Sequence, residues 1–285
     1  STHYFLRLIL SVLLVIFGFG LDGAIVGYIL AVAIATLIQY YLLREIISIS
    51  GKSQDSFSEM FSYGFYFGLV SIAGTFSMWT DSVMVGFFIG TTSVGIYRIA
   101  LSLASASSTL LNGISKVMFP YFTSTEAKGE DSIKQLNKAM KYSLFISIPA
   151  FFGLTLSAEG IVNVFFGQQY IESTVPLIIL SYLVLDGILV GLISSYLAAK
   201  KMTKIMGYSS AFSAVLNVIL NFILIPVLGI IGAALTSIVS RIANFILLFF
   251  WTKKKTGKIY KIPLKFPLAG SLVMSAFLLL LKRLI

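Results

Sequence analysis

The chain has 285 residues, of which 58% are hydrophobic and 11% charged, and its net charge is +10. A soluble domain needs roughly a quarter of its residues charged to cover its surface, so this composition excludes a water-soluble globule and makes lipid the solvent. With no cysteine and one histidine, His3, disulfides, thiolate metal sites, zinc centres and Ser-His-Asp chemistry are excluded, and no cofactor is expected.

Taken in order, the apolar stretches predict nine membrane spans, at about 4–19, 21–43, 61–89, 92–122, 135–157, 174–198, 205–226, 228–252 and 266–284. About 20 apolar residues cross the hydrocarbon core as a helix. The runs are too long for barrel strands and lack polar alternation. The fold class is therefore all-α, a polytopic transmembrane helix bundle.

Seventeen of the 21 basic residues fall on one side if the spans alternate: Arg7, Arg44, Lys52, Lys116, Lys128, Lys134, Lys138, Lys141, Lys200, Lys201, Lys204, Lys253, Lys254, Lys255, Lys258, Lys261 and Lys265. The opposite connections, 18–23, 90–93, 159–174 and 227–232, carry none. Lysine-rich loops stay in the cytoplasm, which puts the N-terminus there and makes the chain an integral protein of the cytoplasmic membrane. The positive charge thus reports topology, and nucleic-acid binding is not expected. Lys282 and Arg283 are the exceptions to this pattern.

The sequence opens at a serine almost inside its first span, with no small-residue cleavage pattern after it, so the expectation is a fragment lacking upstream helices. An internal repeat points the same way. Gly20-Leu-Asp-Gly23-Ala24 precedes a span ending at Arg44, and Gly229-Ile-Ile-Gly232-Ala233 precedes a span ending at Lys253. Both run in the same direction, which suggests a parallel repeat of transporter halves.

Four ionisable residues lie within spans, and each needs a partner or a wet cavity. Asp81 and Arg98 are nearly equidistant from Gly90, roughly 13 Å down neighbouring helices, so they are expected to form an ion pair or to face a cavity. Asp186 and Arg241 both reach about mid-depth and are expected either to pair or to serve a ligand. Asp186 is also a candidate proton acceptor. Ser102, Ser105, Ser107, Ser108, Thr109 and Asn112 crowd the fourth span, Asn217 and Asn221 lie one turn apart, and Asn244 lies one turn beyond Arg241. They are expected to line a hydrated cavity or to pack helices closely. Pro149 should kink the fifth span, as a hinge or as a fixed bend. Residues 159–170 are expected to form a short interfacial segment anchored by Phe165, Phe166 and Tyr170.

The stretch Asp81-Ser-Val-Met-Val-Gly86-Phe-Phe, followed by Val94-Gly95-Ile-Tyr97-Arg98 and Phe119-Pro120, resembles the polysaccharide (oligosaccharide) flippase family of the multidrug/oligosaccharidyl-lipid/polysaccharide exporter superfamily. Pro149, Glu159-Gly-Ile-Val-Asn-Val-Phe-Phe166-Gly167 with Tyr170, and Gly229-Ile-Ile-Gly232-Ala-Ala-Leu-Thr extend the resemblance over about residues 1–255. The resemblance implies two six-helix lobes around a central cavity. Residues 1–50 would be the last two helices of the N-terminal lobe, 60–255 the C-terminal lobe and 256–285 the start of an additional transmembrane pair.

The implied function is alternating-access transport of a lipid-diphosphate-linked oligosaccharide for cell-surface polysaccharide biosynthesis, with the bilayer and polysaccharide assembly proteins as partners. Arg241, and after it Arg98, would meet the diphosphate, because a guanidinium binds phosphate bidentately and stays charged. The alternative within the superfamily is a multidrug or organic-cation antiporter, for which Asp81 and Asp186 would be exposed. An integral-membrane enzyme is not expected. The connection at 123–135 interleaves Glu126, Glu130 and Asp131 with lysines, as a solvated surface does.

Overall fold

The computed structural model describes residues 2–44, 57–257 and 270–271, and the chain divides into two units, Ser1–Ser56 and Phe57–Ile285. Apart from 270–271, the expected ninth span at 266–284 lies outside the described residues. So do Lys52, Lys258, Lys261, Lys265, Lys282 and Arg283. Every regular element among the described residues is helical.

In the first unit, α1 (Thr2–Leu14) passes through a widened turn at Val15–Phe19 into α2 (Gly20–Leu43). The two helices lie back to back through small residues. A Cβ on Gly27 would fall 2.7 Å from the Cα of Ser11, and Ser11 Oγ donates to the Ala24 carbonyl at 3.2 Å.

The second unit comprises α3 (Phe57–Phe88), α4 (Thr91–Ala127), α5 (Ile133–Phe166), a 3₁₀ segment (Gln168–Ser173), α6 (Thr174–Leu180), α7 (Leu183–Ala199) and α8 (Thr203–Thr256). The described residues include five stretches both long and apolar enough to cross a membrane: Asp22–Leu42, Thr91–Ala127, Ile133–Phe166, Gln168–Ala199 and Thr203–Thr256. The last holds the expected seventh and eighth spans. Its helical run breaks at Gly229, where φ is 63° and ψ −138°. Ser213 Oγ donates to the Ser240 carbonyl at 2.7 Å across the two arms, so the chain doubles back there. An L side chain at that backbone conformation is strained. Gly20 adopts nearly the same one, φ 52° and ψ −135°, at the equivalent place in the repeated motif.

Two departures from the sequence reading concern helix ends. The expected span at 174–198 is two helices, broken at Ser181–Tyr182. There the Ser181 hydroxyl donates to the Ile178 carbonyl at 2.6 Å and lies 2.8 Å from Thr155 Oγ1 on α5. Side-chain bonds of this local kind offer the backbone an alternative to the helix ladder. The expected interfacial segment at 159–170 is helical as far as Phe166. Only from Gln168 does the 3₁₀ segment begin, with Phe166 and Tyr170 in edge contact at 6.4 Å. Pro149 sits inside an assigned helix that runs on past it.

Within the second unit α3 packs along α8, and α4 along α7. The α4–α7 contact depends on Gly187 and Gly191, one turn apart on α7 as small residues are in close membrane-helix pairs. A Cβ on Gly187 would fall 2.5 Å from Asn112 Oδ1, and one on Gly191 would fall 2.7 Å from Ser115 Oγ. Two apolar clusters fill the unit. One gathers Val85, Tyr97, Ala104, Val162, Leu180 and Ala233; the other gathers Phe122, Met140, Leu192, Tyr196 and Leu248.

Candidate functional site

Two polar centres lie inside the second unit, both built on α8. The first surrounds Asp81 of α3, which is only 2% exposed. Its Oδ1 accepts from Asn217 Nδ2 at 3.0 Å and from Asn221 Nδ2 at 2.7 Å, both on the first arm of α8. Its Oδ2 accepts from Tyr97 Oη on α4 at 3.1 Å and from Ser237 Oγ on the second arm of α8. Four neutral donors therefore satisfy one carboxylate. A buried carboxylate is tolerated when its lone pairs are satisfied in this way. Asn217 and Asn221 are themselves buried, so in this conformation they serve Asp81 rather than a ligand.

The expected Asp81–Arg98 pair is absent. Tyr97 and Arg98 are consecutive, and one step along the chain turns a helix by about 100°. That turn brings Tyr97 onto Asp81 and carries Arg98 past it. Arg98 lies instead with its guanidinium carbon 4.9 Å from the Trp79 ring centroid, within cation–π range. Its Nη1 is buried without a hydrogen-bond partner.

The second centre is an ion pair. Arg241 Nη1 donates to Asp186 Oδ2 at 2.9 Å, joining the second arm of α8 to the first turn of α7. Asp186 is sealed in, whereas the Arg241 side chain is 39% exposed. Asp186 Oδ1 has no partner, and Asn244 Oδ1, one turn from Arg241, is likewise buried and unpartnered. The two centres sit at successive depths. Tyr97, Asn221 and Ser237 lie seven or eight residues from the turns at Gly90 and Gly229, and Arg241 lies twelve from Gly229. The difference is about 6 Å along the helix axis.

Ser237 and Tyr97 were not among the candidate residues drawn from the sequence. One signal was available for Ser237. It lies as far after Gly229 as Asn221 lies before it, so a hairpin at that glycine brings the two to one level.

A third cluster lies past the apolar part of α4. Glu126 accepts from the Ser132 backbone N–H at 2.9 Å and from its hydroxyl at 2.6 Å, and Lys200 reaches Glu126 at 3.0 Å and Asp131 at 3.3 Å. Burial alone would raise the Glu126 carboxyl, but the Ser132 bonds and Lys200 outweigh it and leave its pKa lowered. Burial alone would lower the Lys200 ammonium, but Glu126 and Asp131 leave it raised. The cluster ties the α4–α5 connection to the α7–α8 connection beside a cleft of about 610 Å³.

The sequence model of the family described as "Polysaccharide biosynthesis protein" matches residues 2–175, more than half of the chain. The chain belongs to that family. A similar curated protein is the "Probable low-salt glycan biosynthesis flippase Agl15" of Haloferax volcanii, 26% identical over 231 residues, which cover 80% of this chain and 49% of the relative. Another, from the same organism, is the "Probable flippase AglR", 25% identical over 156 residues, or 53% of this chain and 32% of the relative. The chain thus spans half or less of the curated relatives it matches.

Among solved structures, "Lipid II flippase MurJ, inward closed conformation" superposes with a TM-score of 0.70 at 20% identity, over 98% of this chain and 59% of that one. "Crystal structure of MATE in the straight conformation" gives 0.69 at 17% identity, over 89% and 60%. This member of the polysaccharide biosynthesis family therefore has a MurJ- and MATE-like transporter fold. Among the described residues, the two polar centres place Asp81, Asp186 and Arg241 inside apolar helices, and Arg98 lies apart from both.

Proposed function

We propose that this protein is part of a flippase that moves a lipid-diphosphate-linked oligosaccharide across the cytoplasmic membrane by alternating access, for cell-surface polysaccharide. The observation that carries the reading is the part-exposed Arg241, twelve residues from the turn at Gly229. Its bond to Asp186 uses one of the five guanidinium N–H donors. The open side of the guanidinium suits a diphosphate, which must otherwise cross an apolar core. Asp186 holds the side chain in place and keeps the centre near neutrality between substrates. In this reading the lysine-rich loops are cytoplasmic, residues 60–255 are a six-helix lobe, 1–50 belong to the other lobe and Pro149 is a candidate hinge. Polysaccharide assembly proteins are the expected partners.

An organic-cation antiporter of the same superfold would need an exposed acid. Asp81 and Asp186 are both buried and both engaged, which disfavours that reading.

The test is complementation of a strain lacking its own oligosaccharide flippase, scored by surface polysaccharide at matched membrane levels. The full-length wild-type protein should restore it, and Arg241→Ala in the same full-length protein should reduce the rate roughly ten- to a hundredfold, the worth of a hydrogen bond to a charged group. Equal rescue by both would reduce Arg241 to a structural residue.

A further inference from the structure

The exposed side of α4 divides lengthwise. Arg98, Ser102, Ser105, Thr109, Gly113 and Lys116 fall within about a quarter of the helix circumference, and all are exposed or half-buried. The adjoining sector presents Ile99, Leu103, Ala106, Leu110 and Val117, and suits lipid. The opposite side, with Ala104, Ser108 and Ser115, is buried. A charge facing hydrocarbon is costly, so a sector bounded by Arg98 and Lys116 on a spanning helix calls for water. The sector runs about 27 Å from Arg98 to Lys116, close to the roughly 30 Å of the hydrocarbon core. Arg98 reaches Trp79, which turns the sector towards α3.

Two features give the sector a chemical preference. Ser102 Oγ donates to the Ile99 carbonyl at 2.9 Å and Thr109 Oγ1 to the Ser105 carbonyl at 2.8 Å. Their protons are spent, and their oxygens face out as acceptors for hydroxyl donors. The ends of the sector are cations, and neither is in an ion pair among the described residues. The one acid on α4, Glu126, lies beyond the sector and is bound by Ser132 and Lys200.

We propose that this sector is a water-lined track for the sugar portion of the substrate, and that it takes a glycan bearing oxyanions such as carboxylate or sulfate groups. The proposal rests on the flippase reading and specifies its substrate class. The sugar hydroxyls donate to the Ser102 and Thr109 oxygens, and the oxyanions meet Arg98 and Lys116 at the two ends.

The test introduces single cysteines in the full protein in membrane vesicles, with any cysteine outside these cysteine-free 285 residues replaced by serine, at Ser102, Ser105, Thr109 and Gly113 and at Ala106, Leu110 and Val117. Each is treated with a sulfonate-bearing or a trimethylammonium-bearing methanethiosulfonate. Only the polar sector should react, and the sulfonate reagent should be favoured by roughly tenfold, as one-signed clefts enrich counter-ions. That preference should fall to parity with Arg98→Gln and Lys116→Gln combined.

Oligogalacturonate should protect the reactive cysteines, while maltooligosaccharide and inorganic pyrophosphate should not. Equal labelling of both sectors, or no preference between reagents, would overturn the track. Protection by pyrophosphate alone would assign the cations to the lipid diphosphate and overturn the glycan assignment, and protection by the neutral sugar would overturn the charge requirement. Labelling needs no transport, so a failed complementation leaves these outcomes readable.

Discussion

At the scale of single residues, the Asp81 cluster shows what a linear sequence conveys about a membrane interior. Counting residues from Gly90 set the depth of Asp81 and Arg98 but not the direction each faces. The residue beside Arg98, Tyr97, turned out to hold the carboxylate. For Asp186 and Arg241, where the sequence left pairing and ligand binding open, the two side chains do face each other. Ser237 was not legible, because serine is ordinary in packed membrane helices and its partner lies 156 residues away. The four donors around Asp81 make a definite prediction. Asp81→Asn would place an amide N–H₂ among groups that already donate, leaving at least one buried donor unpaired at about 1–3 kcal/mol. Thermal unfolding in detergent should show a clear loss for Asp81→Asn and a change within about 0.5 kcal/mol for Asn244→Ala, whose Oδ1 has no partner to lose. Equal shifts would mean that the Asp81 network does not hold the helices together.

At the scale of elements, the serine-rich α4 resolves an ambiguity that composition leaves open. Close packing and a hydrated lining both suit a run of small polar residues, and α4 packs closely on one side while it presents hydroxyls at the surface on another. Ser108, Asn112 and Ser115 meet Gly187 and Gly191 of α7, while Ser102, Thr109 and Gly113 are exposed. The facing of a residue follows from which helix packs where, and periodicity fixes it only up to a rotation. The helix break at Ser181–Tyr182 was hidden for a related reason, since apolar residues run through it unbroken. The two sides of α4 should respond differently to bulk. Gly191→Leu forces a side chain into Ser115, and overpacking of this kind costs about 1–3 kcal/mol, visible as a lower unfolding temperature. A Cβ at Gly113 meets nothing within 4 Å, so the unfolding temperature of Gly113→Leu should stay near that of wild type while polysaccharide export falls, as the proposed sugar track requires. Unimpaired export with Gly113→Leu would count against the track.

At the scale of the whole molecule, the repeat is legible in backbone terms and misleading in chemical ones. Gly20 and Gly229 share a conformation that side chains rarely adopt, and both hairpins tighten three residues later, at Gly23 and Gly232. Yet the polar residues of the α8 hairpin have no counterparts in the first unit. At the equivalent positions Asn217 becomes Leu8, Asn221 becomes Val12, Ser237 becomes Tyr28 and Arg241 becomes Val32. The buried polar centre of one hairpin is matched by side chains that are exposed in the other. The two hairpins share the turn and the close helix contact, while the Asn, Ser and Arg of the polar centres stand in one copy only. Substrate chemistry should then be equally lopsided. Val32→Ala occupies the place of Arg241→Ala in the repeat and removes a comparable exposed side chain, so the two variants control for each other. Val32→Ala should restore surface polysaccharide to within about twofold of wild type, whereas Arg241→Ala should lose the roughly ten- to a hundredfold expected of a charged contact. Comparable losses would show that the two hairpins contribute through packing alone, and the Arg241 guanidinium would then have no special part in carrying the diphosphate.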